Sequence, residues 1–198
     1  MKGIIVKSKL LQLSLLSVLF ISGCATPKVA YVDPNAVNSL NTNFSQNDLR
    51  TVAQEMAGQL IQSGKMNSCK SFTISPVKNA TDQYVDTSVM TNAMADKLSN
   101  SSAVHSIYVV SSDEMGNQVD ELSRQNQSGL YDQSSTSKMG KMKAAQCRID
   151  GKLTSDTSVG VDGKTTLVAY TFFVQVFDVQ QGAAIFRNSK NISKAMTY

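Results

Sequence analysis

The stretch TTLVAYTFFVQVF, residues 165–177, decides the fold. Side chains alternate across a strand, and here both alternating sets are largely apolar. Val168, Tyr170, Phe172, Val174 and Val176 form one face; Leu167, Ala169, Phe173 and Phe177 form the other. Such a strand is expected at the centre of a sheet, covered on both sides. Just before it, Cys147, Ile149, Gly151 and Leu153 alternate with Arg148, Asp150, Lys152 and Thr154, a strand with one buried face. Asp162-Gly163 is a tight-turn signal between the two. Gln180-Gln181-Gly182 turns the chain into a last strand through Ile185 and Phe186. Three strands on short turns imply antiparallel pairing.

Upstream, helices separate the strands. Ser45 with Asp48 three residues on resembles a capping box. Leu49, Val52, Met56 and Leu60 follow at helical spacing, and Gly64 is a natural stop. Phe72–Ser75 with Val77 reads as the first strand, and Lys78–Asp82 as a polar loop. Asp86 or Thr87 caps a second helix along Met90, Met94 and Leu98; Val104–Val110 is the second strand. Ser111 and Glu114 precede a third helix through Met115, Val119 and Leu122. Residues 123–138 are polar and turn-rich, and a short fourth helix is expected over Thr136–Ala144. Strands separated by helices pair in parallel through right-handed crossovers. The fold class is therefore α/β, a mixed five-stranded sheet with helices on both faces. The expected strand order is 2-1-3-4-5, with the first and third strands parallel neighbours.

The N-terminus sets the compartment. Lys2, Lys7 and Lys9 form a positive region, Leu10–Ile21 is apolar, and Ser22-Gly23-Cys24 completes a bacterial lipoprotein signal. The apolar run falls short of the roughly 20 residues of a membrane span. Residues 1–23 are read as the signal peptide. Cys24 then carries diacylglycerol and an N-acyl chain such as palmitate, and no other cofactor is expected. Residues 24–43, with Pro27 and Pro34, have the composition of a flexible tether. Its root-mean-square span is roughly 25 Å, and its full extension roughly 65 Å. Ala25 in place of aspartate agrees with the outer-membrane side of Gram-negative lipoprotein sorting. Residues 44–198 remain as a single globular domain. Loss of the three signal lysines takes Lys+Arg from 19 to 16 against 15 acidic residues, so the +4 charge is no argument for nucleic acid.

Chemistry has few residues to work with. His105 is the single histidine, so any Ser-His or Cys-His triad must use it; a lone strand histidine is ordinarily structural. No second histidine supports a metal site, and the cysteines lack zinc-site spacing. Ser135-Thr136-Ser137-Lys138 fits the S-x-x-K pattern of penicillin-recognising enzymes, but its companion elements are missing downstream. No catalytic residue is assigned, and the chain is not read as an enzyme. Cys69 and Cys147 remain after lipidation of Cys24: either one bridge, which an exported protein could keep, or two buried thiols. Both sit near the starting ends of neighbouring strands, which favours the bridge without deciding it.

Five segments together carry a family resemblance: FSQNDLRTVAQEMAGQLI (44–61), FTISPVKNATD (72–82), VMTNAMADKLSNSSAV (89–104), CRIDGKLTS (147–155) and FFVQVFDVQQGAAIFRNSK (172–190). In this order, behind a lipobox, they resemble the penicillin-binding protein activator LpoB family, whose domain is similar to the TolB N-terminal domain. The resemblance implies a non-enzymatic, monomeric lipoprotein in the inner leaflet of the outer membrane, facing the periplasm. It would dock on a class A penicillin-binding protein and regulate peptidoglycan synthesis in cell wall biogenesis. The best-known family type has a long Pro-rich tether, and here the tether is short. Candidate partner contacts are Asn79, Thr81 and Asp82 in the polar loop, and the basic run around Lys138, Lys141 and Lys143. The competing class is a structural or assembly lipoprotein of an envelope secretion or flagellar apparatus. A third class, a ligand-binding periplasmic domain, finds little support in an aromatic content of 7% without tryptophan.

Overall fold

Ser45 starts the first helix as its spacing demands. The Asp48 N–H donates to Ser45 Oγ (3.2 Å) and the Ser45 N–H donates to Asp48 Oδ2 (2.8 Å), a reciprocal capping box. Helix α1, Gln46–Gln62, buries Leu49, Val52, Ala53, Met56, Ala57 and Leu60 along one stripe. Gly64 takes the left-handed conformation (φ 67°) that ends the helix and opens a 3₁₀ turn at Lys65–Ser68. The computed structural model describes residues 44–197, all within one compact unit. Cys24, the signal peptide and the tether lie outside the described residues.

The remaining elements are β1 (Ser71–Ile74), β2 (Lys78–Ala80), α2 (Ser88–Ser99), β3 (Ile107–Tyr108), α3 (Ser112–Gln127), β4 (Cys147–Val159), β5 (Thr165–Asp178) and β6 (Ala183–Thr197). The sheet runs β3-β1-β4-β5-β6, with β2 also paired to β4. β1 is parallel to β3 and β4, while β4–β5 and β5–β6 are antiparallel. The mixed α/β class and the order of the five expected strands are observed, and β2 is a sixth, short strand.

Side-chain residues on one face of the sheet form the core. Ile149 pairs with Val176, Gly151 with Val174 and Leu153 with Phe172, and they pack in a single cluster with Phe72, Ile74 and the apolar stripes of α1 and α2. Tyr170 is buried and stacks on Phe44, ring centroids 4.5 Å apart. Each fully buried Leu, Met or Phe here is worth about 1.5–3 kcal/mol in transfer free energy.

Three expectations are corrected. Helices do not cover both faces: α1 and α2 pack on the same one, and no described side chain of α3 joins the core. Leu167, Ala169, Phe173 and Phe177 are accordingly half-exposed or exposed. Of the four, Phe177 is covered in part by a side chain: the Arg148 guanidinium lies 5.5 Å above its ring. The fourth helix over Thr136–Ala144 does not form. Gly140 sits at φ 73°, which breaks a helix, and Met139 and Met142 stay about half-exposed. The second strand, expected over Val104–Val110, shrinks to Ile107–Tyr108. The Val104 N–H turns back to Ser101 O, and the Ser106 hydroxyl donates to Cys69 O.

Candidate functional site

Of the expected polar loop, Lys78–Ala80 forms β2 instead, and the turn that follows it is ordered from within. Asn79 Oδ1 accepts from the Thr81 N–H (3.0 Å) and hydroxyl (2.8 Å), and Asn79 Nδ2 donates to Gln83 O (2.9 Å). Asx and hydroxyl side chains close turns in this way. The Asp82 N–H donates to Ser155 Oγ (3.2 Å), which pins the loop to β4. Asn79 and Thr81 thus spend their polar groups on shape, and the loop presents Asp82 and Tyr84 outward. Tyr84 is 98% exposed. An exposed tyrosine on a stiff loop is the residue type enriched at protein interfaces. Sequence reasoning passed over Tyr84, because no periodicity marks a loop residue.

Lys138 and Lys141 stand elsewhere, on coil rather than on a helix. Lys138 Nζ donates to Gln133 O (2.7 Å), and both lysines line a cleft with Leu122 and Met142 against α3. This coil leads into the start of β4 at Cys147, whereas β2 meets β4 near Leu153. Six residues of strand separate those points, roughly 20 Å. The two candidate contact groups thus belong to segments that meet β4 at different positions.

Cys69 and Cys147 form a disulfide, with Cα atoms 5.7 Å apart and both residues buried. It joins the starts of β1 and β4 where Phe72 pairs with Cys147. His105 lies beside it, in a cleft with Lys70 and Asn67 and with no carboxylate lining it. Among the described residues, no group of three His, Cys, Asp or Glu is placed to hold a metal. Among them, too, no helix is long and apolar enough to cross a membrane.

The open face of the sheet carries a groove of about 520 Å³ lined by Lys78, Arg148, Asp150, Lys152, Phe173 and Arg187, among others. Register places these together: Asp150 faces Gln175, Lys152 faces Phe173 and Lys78, and Gln175 faces Arg187. Arg148 donates to Asp150 Oδ2 at 3.0 Å.

Solved structures are similar to this chain at low identity. The LpoB C-terminal domain from Escherichia coli is 14% identical, with a TM-score of 0.43, over 73% of this chain and 98% of that one. The same domain from Salmonella enterica gives 14% and 0.42 over 73% and 98%. Lipoprotein GNA1162 from Neisseria meningitidis gives 16% and 0.38 over 63% and 83%. No curated protein matches the chain. The family model described as peptidoglycan-synthase activator LpoB matches residues 48–192, most of the chain, and the chain belongs to that family.

Proposed function

We propose that this chain is a lipoprotein anchored through Cys24 in the outer membrane, facing the periplasm, and that it binds and activates a class A penicillin-binding protein. The observation that carries the reading is the family match across residues 48–192, which spans α1 through most of β6. The chain acts as a regulator and performs no bond chemistry itself. A monomer that binds the active conformation of a synthase more tightly than the resting one shifts that equilibrium by its differential affinity. The docking surface is the end of β2 and the turn after it, from Asn79 to Tyr84, where internal hydrogen bonds pre-form the shape and lower the ordering cost of association. The Lys138–Lys141 coil is the alternative contact.

The test uses the full chain in detergent with each class A penicillin-binding protein of the host. Lipid II polymerisation and peptide cross-linking are followed together. A dose-dependent rise with one synthase is the expected result and names the partner. No rate change with any synthase, together with rings or fibres in solution, would replace this reading with an assembly lipoprotein.

A further inference from the structure

The groove on the open sheet face originates in a break of strand pairing. Ile74 pairs with Ile149, and the ladder resumes at Lys78 with Lys152. Ser75, Pro76 and Val77 therefore oppose only Asp150 and Gly151. This is a bulge with one extra residue, and it holds a proline, which cannot donate to a ladder. The bulge is fixed from behind: the Thr87 hydroxyl donates to Val77 O (2.6 Å) and the Val77 N–H donates to Thr91 Oγ1 (3.1 Å). Bulges of this kind re-aim side chains and are frequent beside binding sites.

What the bulge exposes is chemically specific. Lys78, Lys152 and Arg187 form no ion pair among the described residues, and Arg148 has Asp150 alone. Four cations thus face one carboxylate. That carboxylate is half used: Asp150 Oδ1 is buried and accepts no hydrogen bond. A buried acceptor without a donor costs free energy, and the Asp150 side chain, 36% exposed, presents this oxygen to a ligand by turning its carboxylate toward the groove. Phe173 supplies an apolar wall beside it. The volume lies within the range of small-ligand sites.

We propose that this groove is a binding site for a short acidic peptide. Its carboxylates meet Arg187, Lys152 and Lys78, and one of its N–H groups satisfies Asp150 Oδ1. A peptide carries both groups within one residue. A bare inorganic anion carries only the first, and Asp150 would repel it. The inference goes beyond the activator reading and is measured with no synthase present.

The probe is a fluorescein-labelled triglutamate peptide, titrated by polarisation against the full chain in detergent. Trilysine peptide and inorganic pyrophosphate serve as comparisons. Saturable one-to-one binding is expected, weakening with salt and absent for trilysine. Lys152→Glu and Arg187→Glu, both on exposed positions, should each weaken it about tenfold or more, the loss of one charged hydrogen bond. Asp150→Ala decides the ligand class. It weakens the peptide if Oδ1 accepts an N–H, and strengthens it if the groove merely collects anions. No binding, binding that survives both reversals, tighter binding to Asp150→Ala, or full displacement by equimolar pyrophosphate would each overturn the proposal.

Discussion

Lys194 Nζ donates to Asp48 Oδ2 at 2.6 Å, tying the last strand to the first turn of the first helix across 146 residues. The side chains are 15% and 13% exposed, so water screens the pair poorly. The same oxygen accepts the Ser45 N–H of the capping box and lies at the positive end of α1. Burial pushes the Asp48 carboxyl up, but the hydrogen bonds from Lys194 and Ser45 outweigh it and hold it below the ordinary range.

A pH dependence follows. The folded state favours the carboxylate, so the unfolded chain takes up this proton first as pH falls. The stability is fully present above about pH 4 and is lost as pH drops through the depressed folded value. Asp48→Ala should cost about 1–3 kcal/mol at neutral pH, since it removes a cap and the carboxylate that accepts from the Lys194 ammonium. The difference from wild type should shrink in acid. Urea denaturation at pH 7 and pH 2.5 checks this, and an equal difference at both would refute the role given to the pair.

The disulfide should matter more than any single contact. Cys69 and Cys147 are 78 residues apart in sequence, and the chain-entropy account assigns such a bridge about 4–5 kcal/mol, with 2–5 kcal/mol typical of measured removals. A Cys69→Ala/Cys147→Ala double variant should unfold at clearly lower denaturant. Because both residues are buried, thiol release by reductant should track global unfolding rather than reductant concentration.

Gly151 is required by packing and not by its backbone angle. A Cβ there would meet Val77 Cγ2 at 2.7 Å and the Phe172 ring at 3.1 Å. Gly151→Ala should therefore cost about 1–3 kcal/mol, as overpacking does. It should also displace Val77 and with it the bulge, so triglutamate binding should weaken beyond what the stability loss explains. A neutral variant would mean that Val77 moves freely.

What could be read from the sequence was what local periodicity encodes. The buried face of β5 and the stripe of α1 emerge residue by residue, because burial repeats every 2 and every 3.6 positions. The second face of β5 misled. Phe173 and Phe177 have the hydropathy of covered residues, yet Phe173 lines the open groove and Phe177 lies under the Arg148 guanidinium rather than a helix. Met139 and Met142 misled likewise, since helical spacing does not carry a helix through Gly140 in its left-handed conformation. The groove left no local signal. Lys78, Arg148 and Arg187 are brought together only by the register of four strands and one bulge.

Tyr84 separates docking from folding. Its side chain is almost fully in solvent, so Tyr84→Ala should change stability by no more than about 0.5 kcal/mol. If the loop is the docking surface, the same change removes an interface aromatic and should cost about 1–2 kcal/mol of binding, near tenfold in the concentration that half-activates the synthase. Asn79→Ala should act differently. It unties Thr81 and Gln83, so it costs loop order, and it should weaken docking with a measurable loss of hydrogen-exchange protection around residues 79–83. A Tyr84→Ala protein that activates at the wild-type concentration would move the docking surface away from this loop, and Lys138→Glu with Lys141→Glu would then be the pair to measure.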